Sequence, residues 1–114
     1  MSIVSRESLH VPTPTVGSLS CDDLRAAQHV NTAPMLIDVR ELDEWNAGHI
    51  PGAIHIPRGI LEFKISEVVP NRNTPIVLYC RSGGRATVSA HQLISFGYTN
   101  VKNLEGGYLQ YSSA

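Results

Sequence analysis

Three short, mainly apolar runs punctuate the chain, Met35 to Val39, Ala53 to Ile56 and Ile76 to Tyr79, and Val101 to Leu104 reads as a last strand of similar length. Each is too brief for a helix, and the runs at Met35 to Val39 and Ile76 to Tyr79 suit strands covered on both faces. Between these runs the apolar positions space differently. Ser20 offers an N-cap with Asp23 three residues later, a weaker variant of the capping box, and Leu24, Ala27 and Val30 give a first helix a short apolar face. Glu41 to Ala47 predicts one or two helical turns with Leu42 and Trp45 inward, closed by Gly48 at a position where positive φ costs little. Ile60, Leu61, Phe63, Ile65, Val68 and Val69 space as a helix stopped by Pro70, and Ala86, Ala90, Leu93 and Ile94 as another stopped by Gly97.

Short apolar strands alternating with helices predict an α/β fold of parallel βαβ units, with helices on both faces of one sheet. Met1 to Thr15, with Pro12 and Pro14 and no periodicity, reads as a flexible lead-in, so the domain is expected to run from Val16 to Ala114. In such sheets ligands bind beyond the C-terminal strand ends. Asp38, Arg40, Cys80 and Glu105 all fall at such ends.

Composition narrows the class without naming a chemistry. Apolar residues make up 42% of the 114 residues and charged residues 17%, which is ordinary globular usage rather than the signature of disorder. The formal charge is −1 and no block of like charge occurs, so neither nucleic acid nor a membrane surface is expected as a partner. The first residues lack the apolar core of a signal peptide, and no run approaches the ~20 apolar residues needed to span a bilayer. Cytoplasm is the default compartment. The two cysteines, Cys21 and Cys80, make no disulfide framework and lack the spacing of a zinc site; no metal site is expected.

Cys80 is the candidate for chemistry. It ends a buried strand and opens the segment Cys80-Arg81-Ser82-Gly83-Gly84-Arg85, after which a helix begins. There, backbone N–H groups can converge and the helix N-terminus adds partial positive charge, so the site favours an anion. Helix N-termini and nearby arginines lower cysteine pKa values, and Arg81 and Arg85 flank the site, so Cys80 is expected to be largely thiolate. Gly83 and Gly84 accept positive φ and leave the loop's N–H groups free to turn inward. The same features would serve thiosulfate, sulfite, phosphate or arsenate.

With that loop in place the sequence resembles the single-domain rhodaneses. The matches run in order: Ile37-Asp38-Val39-Arg40-Glu41, then Trp45 to Ala53, then the Cys80 loop, then Leu104-Glu105-Gly106-Gly107. The resemblance spans about Val16 to Tyr111 and implies a rhodanese-like fold with a central parallel sheet of about five strands. It also implies sulfur transfer. The Cys80 thiolate attacks the outer sulfur of thiosulfate or a related donor, becomes a persulfide, and passes the sulfur to cyanide, a small thiol or a protein cysteine. Cys80 is then catalytic, and Arg81, Ser82, Gly83, Gly84 and Arg85 bind the small sulfur-containing anion. Asp38, Arg40 and Glu105 support the site structurally, and no metal or organic cofactor is needed.

Two alternatives stay open. Phosphatase and arsenate-reductase relatives in the family use a loop one residue longer, whereas four residues separate Cys80 from Arg85 here, a ring better matched to one sulfur atom than to a tetrahedral oxyanion. The other alternative is a relay or binding module loaded by a protein partner. Arg85 is expected to orient the loop and its anion, or to pair with a carboxylate such as Glu105. His49 and Trp45 read as structural and Cys21 as an ordinary helix residue. Tyr111 stands in a region where the family usually carries tryptophan and the sequence stops at Ala114, so the last helix is expected to be short or absent.

Overall fold

A computed structural model of the chain describes residues 16–113. The expected lead-in, Met1 to Thr15, and the terminal Ala114 lie outside the described residues. Five parallel strands form one sheet in the order β1-β5-β4-β2-β3, where β1 is Gly17–Leu19, β2 Met35–Asp38, β3 Ile54–His55, β4 Ile76–Tyr79 and β5 Val101–Leu104. The helices are α1 (Cys21–His29), α2 (Leu42–Ala47), α3 (Leu61–Val68, entered through a 3-10 turn at Arg58–Ile60), α4 (Gly84–Ser95) and α5 (Gly107–Ser113).

The side-chain alternation of β4 divides the core. Ile76 and Leu78 face one cluster with Leu61 and Ile65 of α3 and Ala86, Ala90 and Leu93 of α4. Val77 and Tyr79 face the other with Cys21 and Leu24 of α1, and there Tyr108 and Tyr111 of α5 pack. Helices on both faces bury all four β4 residues, which is why that strand reads as a continuous apolar run. Cys80 continues the alternation and joins the α3/α4 cluster. The strand therefore delivers its last apolar-facing position, a sulfur, to the point where α4 begins.

Several details differ from the sequence reading. β1 is a strand of its own, because Gly17 to Leu19 pair in register with Lys102 to Leu104 although only Leu19 is apolar. The run at Ala53 to Ile56 contributes only Ile54 and His55 to the sheet. Leu42 is 59% exposed rather than inward, since α2 has only six residues and turns Trp45, not Leu42, toward the protein. Trp45 is half-buried and stacks on His49 and His55, at centroid distances of 3.5 and 4.9 Å. The last helix is present but short at seven residues, with the Arg25 guanidinium 4.0 Å above the Tyr111 ring. Ser20 caps α1 as its spacing predicts, accepting the Asp23 N–H at 3.0 Å.

Candidate active site

The turn from β4 into α4 gathers backbone donors around one sulfur. Gly83 N–H lies 3.0 Å from Cys80 Sγ and Ala86 N–H 3.4 Å from it. Gly83 reaches this arrangement with φ 128°, a conformation that glycine adopts without steric penalty. The carbonyls of the same segment go the other way. Cys80 O accepts the Tyr108 N–H at 2.9 Å and Arg81 O the Leu109 N–H at 3.0 Å. The first turn of α5 thus holds two loop carbonyls while the first turn of α4 supplies donors to the sulfur. Cys80 itself is 1% exposed, and Arg81, Ser82 and Gly84 are exposed around it.

Arg85 leaves the loop toward α2. Its guanidinium donates to both carboxylate oxygens of Glu44, at 2.6 and 2.8 Å, a bidentate pairing that fixes the plane of the fork. Glu44 also closes a capping box with Glu41 at the start of α2, accepting the Glu41 N–H at 3.1 Å. The Arg85 hydrogen bonds, chiefly, hold the Glu44 carboxyl down at about 2 from its ordinary 4.5, and Glu44 in turn raises Arg85. A carboxyl depressed in the folded state contributes stability that is complete above its ordinary value and is lost as pH falls toward the folded value. The pair's contribution should accordingly disappear between pH 4.5 and about 2. Urea midpoints followed down that range should fall more steeply for the wild type than for Glu44→Gln; parallel curves would refute the assignment.

Glu105 is not the partner of Arg85. It is exposed, its N–H donates to Leu19 O at 2.9 Å, and its carbonyl accepts the Cys21 thiol at 3.6 Å. The reason is the β1 pairing, which ties the end of β5 to the start of α1 and carries Glu105 with it. Cys21 is buried in the cluster on the opposite face from Cys80, and burial, chiefly, pushes its thiol up. Both cysteines are free.

Asp38 and Arg40 form a buried ion pair at 2.7 Å. Arg40 also donates to Gly48 O at 2.7 Å and lies 4.4 Å above the Tyr108 ring. Burial opposes the charge on Arg40, but the Asp38 hydrogen bond and charge outweigh it, and the net shift is upward. The neighbouring Tyr79 hydroxyl accepts the Ile50 N–H at 3.0 Å, and burial, chiefly, pushes the phenol up. This network joins β2, the Gly48–Ile50 segment and α5. Among the described residues none of its hydrogen bonds reaches Cys80, so it braces α5, which in turn grips the loop. His49 and His55 likewise bond locally, to Trp45 O at 3.0 Å and Arg40 O at 2.8 Å.

The structure therefore brings Cys80, Gly83 and the first turn of α4 together, leaves Arg81 and Ser82 at the rim, and sets Asp38, Arg40 and Glu105 apart from the sulfur. A cleft of about 280 Å³ opens beside the loop between Arg81, Glu44, Ala47, Tyr108 and Leu109, and Arg40, though apart from the sulfur, also lines it. Two contributions to the site are absent from the sequence reading: the pairing of Glu44 with Arg85 and the hold of the Gly107–Leu109 turn of α5 on the loop carbonyls. Glu41 and Glu44, three residues apart, carry a capping signal but nothing that points to Arg85. The arrangement can hold an anionic sulfur against two backbone N–H groups, those of Gly83 and Ala86.

A family model for the rhodanese-like domain matches residues 20–114. The chain is 35% identical over 78 residues to a sulfurtransferase of Allochromatium vinosum, covering 68% of this chain and 71% of that protein. Its fold is similar to the thiosulfate sulfurtransferase of Pseudomonas aeruginosa, with a TM-score of 0.80 and 35% identity over 86% of this chain and 19% of that one. It is also similar to the human single-domain sulfurtransferase TSTD1, with a TM-score of 0.75 and 28% identity over 87% and 97% of the two chains. Against other curated relatives the chain spans 38%, 56% and 63% of their length.

Proposed function

Because the chain belongs to the rhodanese-like domain family, we propose that it is a sulfurtransferase whose Cys80 carries the transferred sulfur as a persulfide. The observation that carries this reading is the pair of N–H groups, from Gly83 and Ala86, directed at Cys80 Sγ from 3.0 and 3.4 Å. Donors placed there stabilise the negative charge of the thiolate on Sγ, the form that attacks the donor and that is restored when the sulfur leaves.

In the first half-reaction the Cys80 thiolate attacks the outer sulfur of thiosulfate or a related sulfane donor. A new S–S bond forms to Cys80, the donor's own S–S bond breaks, and sulfite departs with the electron pair. In the second, cyanide, a small thiol or a protein cysteine attacks the terminal sulfur, and the Cys80 thiolate is restored. No general base is required once the thiolate exists. Loading places the transferable atom about 2 Å beyond Sγ, the length of an S–S bond, which lets a buried nucleophile present its cargo to an acceptor. Arg81, exposed beside the loop, attracts the anionic donor, and Ser82, Gly83 and Gly84 act through their backbone. Arg85 shapes the loop through Glu44.

Two features weigh against phosphoryl or arsenate chemistry. The loop has four residues between Cys80 and Arg85, and the Arg85 fork that would clasp a tetrahedral oxyanion is already occupied by Glu44. Leu109, 47% exposed on the cleft beside the loop, favours an acceptor thiol borne on a body larger than cyanide, such as a protein cysteine, as an alternative to small-molecule acceptors.

Incubation with thiosulfate, followed by intact mass measurement, should reveal a gain of one sulfur that a reductant removes and that cyanide converts to thiocyanate. Steady hydrolysis of an aryl phosphate with no sulfur adduct would overturn the reading. A persulfide loaded by a protein donor but not by thiosulfate would replace the donor and keep the chemistry.

A further inference from the structure

The strand beside the active loop carries a polar side chain that the sulfur cycle leaves unused. Asn103 stands on β5 in register with Leu78 of β4, two residues before Cys80. Its Nδ2 donates to Thr87 Oγ1 at 3.0 Å, and that hydroxyl donates to Gly83 O at 2.9 Å. Gly83 N–H is in turn the nearer donor to Cys80 Sγ. A Cβ on Gly83 would lie 3.6 Å from Asn103 Nδ2, so the amide also backs directly onto the glycine that turns the loop.

Stability alone does not account for asparagine here. Its Oδ1 is buried and has no hydrogen-bond partner among the described residues. A buried acceptor left unmet is costly, and an apolar side chain of similar size would remove it. What the amide does provide is an anchor. Gly83, without a Cβ, can rotate its peptide planes more freely than any other residue. Its carbonyl already accepts the Thr87 N–H at 3.0 Å, and the hydroxyl oriented by Asn103 adds a second bond from a different direction. With the carbonyl doubly held, the Gly83–Gly84 peptide plane is fixed, and only the plane before Gly83 is left to turn, so less freedom remains for its N–H to leave the sulfur.

We infer that Asn103 and Thr87 are positioning residues for sulfur transfer, holding Gly83 so that its N–H remains on Cys80 Sγ from thiolate to persulfide. The inference rests on the proposed persulfide cycle. It concerns geometry rather than contact with substrate, so its effect falls on the rate of sulfur loading at saturating thiosulfate and not on the thiosulfate concentration that gives half that rate.

Single-turnover loading, followed by quenching and intact mass, tests it. Thr87→Val, which keeps the shape and deletes the hydroxyl, should slow saturated loading roughly five- to tenfold, the rate equivalent of one hydrogen bond. Half-saturation should stay within about twofold, and Thr87→Ser should restore the rate. Asn103→Leu should slow loading comparably while melting no lower than the wild type, and the double variant should be no slower than the slower single one, as members of one chain of bonds require. Wild-type rates in Thr87→Val, or multiplicative effects in the double variant, would overturn the inference. If Asn103→Leu does not fold, the contrast between Thr87→Val and Thr87→Ser decides alone. A wild-type chain that takes up no sulfur would sink the sulfurtransferase reading and this inference with it, whereas equal loading by all variants would sink only the inference.

Discussion

Cys80→Ser is expected to take up no sulfur from thiosulfate and to yield no thiocyanate, while unfolding within about 1–2 kcal/mol of the wild type. A serine hydroxyl is not ionised near neutral pH and does not form the S–S bond on which the cycle depends. It does remain an acceptor for the Gly83 and Ala86 N–H groups, which lie 3.0 and 3.4 Å from the present sulfur. Cys80→Ala should behave differently. It leaves both donors without an acceptor, and each unmet buried donor costs roughly 1–3 kcal/mol, so alanine should be the less stable of two equally inactive proteins. Cys21→Ser supplies the control: with its thiol buried in the cluster on the other face of the sheet, it should load as the wild type does. Sulfur uptake by Cys80→Ser that vanished in Cys21→Ser would move the chemistry to the wrong cysteine and refute the assignment.

The active loop is legible in sequence because its chemistry is local. A buried strand, a cysteine, two glycines and a helix follow one another within a dozen residues, and each constrains the next. The middle of the parallel sheet is legible for a similar reason, since β2 and β4, covered on both faces, show as mainly apolar runs. What sequence hides is decided by pairing at a distance. Gly17 to Leu19 has no strand pattern of its own and becomes a strand only because β5 offers it an edge. Arg85 needs a carboxylate, but nothing near it in sequence selects Glu44, 41 positions upstream, over Glu105 at the end of the last strand. Leu42 obeys helical spacing and still faces solvent, because a six-residue helix has room to bury only the side that carries Trp45. The grip of α5 on the loop carbonyls is likewise invisible, since backbone-to-backbone bonds leave no side-chain signature.

That grip predicts the second large effect. Gly107→Ala should lower stability by about 2–4 kcal/mol and should also impair sulfur loading. Gly107 sits at φ 60°, and a Cβ there would lie 2.6 Å from both Cys80 O and Arg81 O. Those are backbone atoms and cannot swing aside as a flexible side chain does. Relief requires either α5 to retreat or the loop to open, and each breaks the bonds from Tyr108 N–H and Leu109 N–H, now 2.9 and 3.0 Å from the same carbonyls. Once those carbonyls are released, the peptide planes between Cys80 and Gly83 can turn, and the N–H groups no longer converge on the sulfur. Gly52→Ala separates the steric effect from the conformational one. It has φ 87° and nothing within 4 Å of its Cβ position, so it should show only the left-handed penalty of about 1–2 kcal/mol and load sulfur normally. If both variants were destabilised alike and loaded alike, α5 would be a passive neighbour. A loading defect confined to Gly107→Ala, measured below its melting transition, would show that the sulfur's ring of donors is held in shape from behind by the last helix.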